Sequence, residues 1–248
     1  MPFLWVNTSN RKVGQGVPTA YAGATLAQAR ASCLEVECSF LGCKCYAWIG
    51  TDRLAFGGMI EKAKEDPQRY ELGNVLRETP RGVTIGRLTA IGDPGGSNTP
   101  ETLEACGELQ RARLLPMVYT HGWRRSDTQA LRRLALASCD NPGQALEALR
   151  AGWVASVVAP WDRPYQGVEN WGAGWPGLAF DCPAQLSSHR ELRRVTCDQA
   201  CRRCSPSWAG WTQNGGPFAV VIFRDHGPKV RHKIRRARGR RLALAVTS

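Results

Sequence analysis

The stretch "GVTIGRLTAIGDPGGSNTPETLEACGELQRARLLPMVYTHGW", residues 82–123, decides the fold class. Residues 82–93 are dominated by β-branched and apolar side chains and run into a Gly-Asp-Pro-Gly-Gly turn, which reads as a strand. Thr99 is a good N-cap and Pro100 suits the first helical position. Leu103, Cys106, Leu109 and Leu114 recur at helical spacing, so a helix follows the turn. "PMVYTHGW", residues 116–123, reads as the next short strand. Further out, "SDTQALRRLALA" (126–137) reads as a helix capped by Ser126 or Asp127, and "SCD" (138–140) as a strand tip. "PGQALEALRAG" (142–152) reads as a helix closed by Gly152, and "WVASVVAP" (153–160) as a strand. Strands alternating with helices imply a parallel sheet built by right-handed crossovers, either open and doubly wound or barrel-like. The expectation is an α/β fold: a parallel β/α, partial-barrel-like domain over residues 1–160. A Trp/Gly-rich loop and Cys-rich segment (161–223) and a basic tail (224–248) complete it. Upstream, the first thirty residues look irregular, with one strand near "VPTAYAG" and one or two helices over 55–78. Downstream, "WDRPYQGVENWGAGWPG" (161–177) reads as a long loop or lid and "FAVVIF" (218–223) as a last strand.

The chain has 248 residues and ten cysteines. The N-terminus lacks a basic region followed by a long apolar stretch, so it does not read as a secretory signal. No apolar run is long enough to span a membrane. In such a chain thiols read as metal ligands or core residues rather than as a disulfide framework. Two groups stand out. Cys33, Cys38, Cys43 and Cys45 are spaced x4, x4, x1 and follow the expected first strand, where β/α folds place their sites. This group is read as a loop opening towards a short helix. Cys182, Cys197, Cys201 and Cys204 end in a tight C-x3-C-x2-C, which can close a tetrahedral zinc site or hold an iron–sulfur cluster. Cys106 and Cys139 read as small core residues.

Net charge is +12, and residues 223–241 supply +8 of it. Lys229, Arg231, Lys233, Arg235, Arg236, Arg238, Arg240 and Arg241 form a block suited to polyanions, and nucleic acid is the expected partner. Trp161, Trp171, Trp175, Trp208 and Trp211 could stack on bases or pack within a lid. Paired histidines and clustered carboxylates, which two-metal nuclease chemistry needs, are lacking.

The ordered blocks "CYA", "IGDPG", "MVYTHGW", "CPAQ", C-x3-C-x2-C and "VIFRDHG" resemble a family of phage and plasmid proteins labelled gene product 88-like, over residues from about 7 to about 229. Its motifs in turn resemble those of radical S-adenosylmethionine (SAM) enzymes. That resemblance implies a [4Fe-4S] cluster on Cys33, Cys38 and either Cys43 or Cys45. It implies SAM at Gly92, Asp93, Gly95 and Gly96, with Asp93, Tyr119 and His121 as candidate catalytic groups. It implies a bacterial host cytoplasm as the setting. The x4, x6 spacing of Cys33, Cys38 and Cys45 departs from the usual x3, x2. The other reading of the residues is a non-enzymatic, zinc-stabilised nucleic-acid-binding protein.

Overall fold

The computed structural model describes residues 3–10, 13–38, 45, 48, 51–159, 179–181 and 220–224. The second cysteine group, Cys43, the Trp-rich loop and the basic tail beyond Arg224 lie outside the described residues. The chain opens with a hairpin, β1 (Phe3–Asn10) and β2 (Gly14–Ala22), paired antiparallel from Phe3↔Ala22 to Asn10↔Gly14. Thr8 and Thr19 share a hydroxyl–hydroxyl hydrogen bond of 2.7 Å across it. The sequence expectation had one strand here; the second comes from the run "FLWV", whose Leu4 and Trp5 are buried.

Helix α1 (Leu26–Glu35) follows, capped by Thr25, whose hydroxyl accepts from the Gln28 N–H at 3.1 Å. Cys33 therefore stands on the last turn of a helix, not in the loop the sequence suggested. Two more helices, α2 (Thr51–Glu65) and α3 (Leu72–Arg77), fill the expected helical region. The β/α run then begins: β3 (Ile85–Arg87), α4 (Thr99–Arg111), β4 (Leu115–Met117), β5 (Tyr119–Thr120), β6 (Leu136–Cys139), α5 (Pro142–Arg150) and β7 (Ala155–Ala159). The short strands β8 (Ala179–Asp181) and β9 (Val220–Arg224) complete the sheet.

Among the described residues, every strand pairing apart from the hairpin is parallel. The orders are β1-β2-β3-β4 and β5-β6-β7-β9-β8. Residues 115–120 serve both groups. The Met117 carbonyl accepts from Leu88 and the Val118 carbonyl from Leu136, each at 2.9 Å. The fold is thus mixed α/β around parallel strands, as the 82–160 pattern predicts.

Three local differences have physical causes. The strand expected over 82–93 shortens because Thr89 takes φ +54° and breaks the extended backbone, although Ala90 and Ile91 still bond to β2. The α4 cap is Asn98 rather than Thr99, and it makes no side-chain cap bond. The helix expected over 126–137 is a 3-10 helix over Ser126–Leu131. The chain then turns into β6, whose Leu136, Ala137 and Cys139 are buried as in a strand covered on both faces.

The sheet separates two apolar layers. On the helix side, Leu88, Leu109, Val118, Leu131, Ala137, Leu149, Trp153 and Val157 pack together. Gly86 admits α4 closely there: a Cβ would lie 2.4 Å from a Leu109 methyl. On the other side Val17, Ile85, Met117, Leu136 and Val221 form a second layer. Among the described residues, no helix is long and apolar enough to cross a membrane.

Candidate functional site

Parallel strands point their carboxyl ends one way, and that edge gathers polar groups from segments far apart in sequence. β3 leads into the Gly92–Gly96 loop, β5 into His121, and β6 carries Ser138. Helix α1 and the residues after it bring Cys33, Cys38 and Cys45.

Asp93 is the hub. It is only 2% exposed, so its carboxylate needs partners. It accepts from the Thr120 hydroxyl (2.7 Å), the Gly95 N–H (2.8 Å) and the His121 N–H (2.8 Å). His121 Nδ1 stands 3.4 Å from Asp93 Oδ2. The Asp93 N–H in turn donates to Ser32 Oγ of α1 at 2.9 Å. Ser138 Oγ lies 3.1 Å from His121 Nε2, so both ring nitrogens face a named oxygen. Burial disfavours charge on the His121 ring. Hydrogen bonding to Asp93 and Cys38 outweighs it and pushes the pKa up to about 10.

The thiols lie next to this group. The Cys38 N–H bonds back to the Cys33 carbonyl at 3.0 Å. Burial, then the negative neighbours Asp93, Cys38 and Cys45, push the Cys33 thiol up to about 12, with the Trp48 side chain partly opposing. Cys33, Cys38 and Cys45 all carry thiols rather than disulfides. Among the described residues, no three of His, Cys, Asp and Glu lie close enough together to hold a metal ion.

The glycine loop is closed on itself. Gly92 has φ +86°, and a Cβ there would meet the Ala22 methyl at 2.4 Å. Gly96 has φ +60° and faces Glu35, and a Cβ on Gly95 would meet Thr120 Oγ1 at 2.5 Å. The loop's N–H groups are already used: Gly95 on Asp93, Gly96 on Thr128 Oγ1, Ser97 on Glu35 and Asn98 on the Gly95 carbonyl. The space left by the missing side chains is filled by this chain's own atoms. Those four N–H groups are therefore held within the chain rather than left open to a ligand.

Among the expected catalytic groups, the structure brings Asp93 and His121 together. It sets Tyr119 in the second apolar layer, its ring 5.6 Å from Phe223 in an edge-on contact. Ser138 was missed in the sequence, where a serine in a strand tip carries no signal until β5 and β6 are known to be neighbours. Glu35 and Arg125 were missed as well. The Glu35 carboxylate accepts from the Ser97 N–H (2.8 Å) and hydroxyl (2.6 Å), while Arg125 donates to the Glu35 carbonyl at 3.0 Å. Together they tie the end of α1 to the glycine loop. Comparison with family models, with curated proteins and with solved structures finds no match to this chain.

Proposed function

We propose that the chain is an iron–sulfur protein of radical-SAM-like type, encoded by a mobile element and acting on or bound to nucleic acid. The observation that carries this reading is the placing of Cys33, with Cys38 bonded back to it, at the end of α1 beside the Asp93–His121 pair at the carboxyl edge of a parallel sheet. Ligand sites of such folds lie at that edge. We read the sheet as a partial barrel with the Val17, Ile85, Met117, Leu136 and Val221 layer as its interior. Cys33 and Cys38, with Cys45 or Cys43, would hold the [4Fe-4S] cluster. Such a cluster supplies one-electron chemistry at an iron left open to a ligand. Asp93 fixes the His121 ring through its Oδ2, which meets both the His121 N–H and Nδ1. Cys182, Cys197, Cys201 and Cys204 form a second metal site, zinc or iron–sulfur, and the basic tail meets phosphate.

The self-satisfied glycine loop favours the second reading, a zinc-stabilised nucleic-acid-binding protein without catalysis. One experiment separates the two: iron, sulfide and zinc content with a visible spectrum, on anaerobically purified protein and on Cys45→Ala. The iron–sulfur reading expects about four to eight irons per chain and broad absorbance near 400 nm, partly lost in the variant. Zinc alone, about one or two per chain and colourless, would overturn it in favour of the second reading.

A further inference from the structure

The β5–β6 register brings a histidine level with a serine. Tyr119 and Thr120 lie opposite Leu136 and Ala137, so the next residue on each side, His121 and Ser138, meet at the carboxyl edge. Ser138 Oγ lies 3.1 Å from His121 Nε2, and His121 Nδ1 lies 3.4 Å from Asp93 Oδ2. Hydroxyl, imidazole and carboxylate thus form a chain in the order of a nucleophile, its base and the group that orients the base. Asp93 is held at both oxygens. Thr120 Oγ1 and the Gly95 N–H donate to Oδ1, and the His121 N–H donates to Oδ2. An ionised carboxylate only accepts, so it draws the ring proton to Nδ1. Nε2 of the neutral ring is then left to accept from the Ser138 hydroxyl. Ser138 is half-buried and the His121 side chain is 22% exposed, so the pair can be reached from solvent. Leu136 shares the Ser138 face of β6 and belongs to the apolar layer with Val221, Tyr119 and Phe223. The surface beside the hydroxyl is therefore apolar.

We propose that Ser138, His121 and Asp93 form a hydrolytic triad that cleaves carboxylic esters with an apolar acyl group. The acyl class follows from the nucleophile, and the apolar character from the layer beside it. Ser138 and His121 are the catalytic residues, and Asp93 positions the ring. Ser138 Oγ bonds to the ester carbonyl carbon while Nε2 takes its proton. The tetrahedral adduct then expels the alcohol: the C–O bond breaks, and Nε2 returns the proton to the leaving oxygen. Water attacks the acyl-serine by the same route, giving a carboxylic acid and free Ser138. Ester and water are the only reactants consumed. The Asp93 carboxylate stabilises the imidazolium formed in each half of the cycle. No metal enters these steps, so the proposal holds or fails apart from the iron–sulfur reading.

The test uses the full chain at about pH 9, because with a pKa of about 10 about one ring in ten is neutral there. An alkyl fluorophosphonate, which bonds covalently to activated serines, should add about one label per chain, and peptide mass spectrometry should place it on Ser138. p-Nitrophenyl butyrate should give a burst of about one p-nitrophenol per chain as the acyl-enzyme builds up. Ser138→Ala should abolish both the label and the burst. His121→Gln should slow labelling about 100-fold at an unchanged far-UV circular dichroism spectrum. A wild type that takes no label, a label mapped to another residue, or a burst retained in Ser138→Ala overturns the proposal. Labelling at the wild-type rate in a folded His121→Gln overturns the proton transfer through the imidazole. The wild-type map decides the nucleophile whether or not the variants fold.

Discussion

Cys106 and Cys139 show what burial does to a thiol when no partner is offered. Both are fully buried on the helix side of the sheet, and burial raises both from the ordinary 9.0 to about 12. For Cys106 burial is the whole cause; for Cys139 the Arg124 charge pulls the other way without reversing it. The unfolded chain would ionise these thiols above about pH 9 while the folded chain keeps them protonated. Their contribution is therefore neutral below that value. It turns against the fold as pH rises towards 12, at about 1.4 kcal/mol per pH unit for each thiol. Cys106→Ala should cost about 1 kcal/mol at neutral pH, because removing the sulfur leaves a small void. It should also make the alkaline fall in stability shallower. Urea midpoints at about pH 8 and about pH 10 check this. An unchanged alkaline fall in the variant would assign it to other groups.

Between elements, the junction that matters is α1 against the glycine loop. Arg125 donates to the Glu35 carbonyl, which ends α1, and forks onto Asp127 at 3.0 and 2.6 Å. Glu35 clasps Ser97 with both carboxylate oxygens. Arg125→Ala should lower stability by about 1 kcal/mol, because the pair is partly exposed and screened. It should also speed amide exchange at residues 96–98 and at the end of α1, while α5 keeps its protection. Equal exchange in both proteins would mean that packing alone holds the junction. Sequence reading reached the elements but not this junction. The β/α alternation from 82 to 160 was legible because Leu103, Cys106 and Leu109 mark one helix face and β-branched runs mark strands. The hairpin at the start was half legible, since "FLWVNTSN" lacks a clean alternation. The cysteine-rich spacing suggests a loop at Cys33, although the Thr25 cap and the run through Ala29 permit the helix that forms. Ser138, Glu35 and Arg125 join the site through contacts spanning 17, 62 and 90 residues. Only the parallel pairing of the strands and the packing of α1 could bring them together.

At the scale of the whole molecule, charge and site are separable. The β/α elements carry the thiols, Asp93 and His121, while most of the net charge of +12 sits in the last stretch of sequence. Changing Lys229, Arg231, Lys233, Arg235, Arg236, Arg238, Arg240 and Arg241 to Gln in the full chain lowers the net charge to +4. On duplex DNA, every phosphate that a cation neutralises steepens the plot of log affinity against log salt by about 0.9. If the tail is what meets nucleic acid, wild type should show a steep slope and the variant one shallower by up to about 7. Thermal stability should change little, because a block of like charges in sequence offers few ion pairs to lose. Fluorescence anisotropy with a labelled duplex from about 50 to about 200 mM salt covers the range in which such slopes appear. A variant that keeps the wild-type slope would move the phosphate-binding surface to the β/α elements and the Trp-rich segment. Abolished binding at unchanged iron content would leave the tail as a tether. It would hold the polyanion near a site whose chemistry is set by the carboxyl ends of β3, β5 and β6.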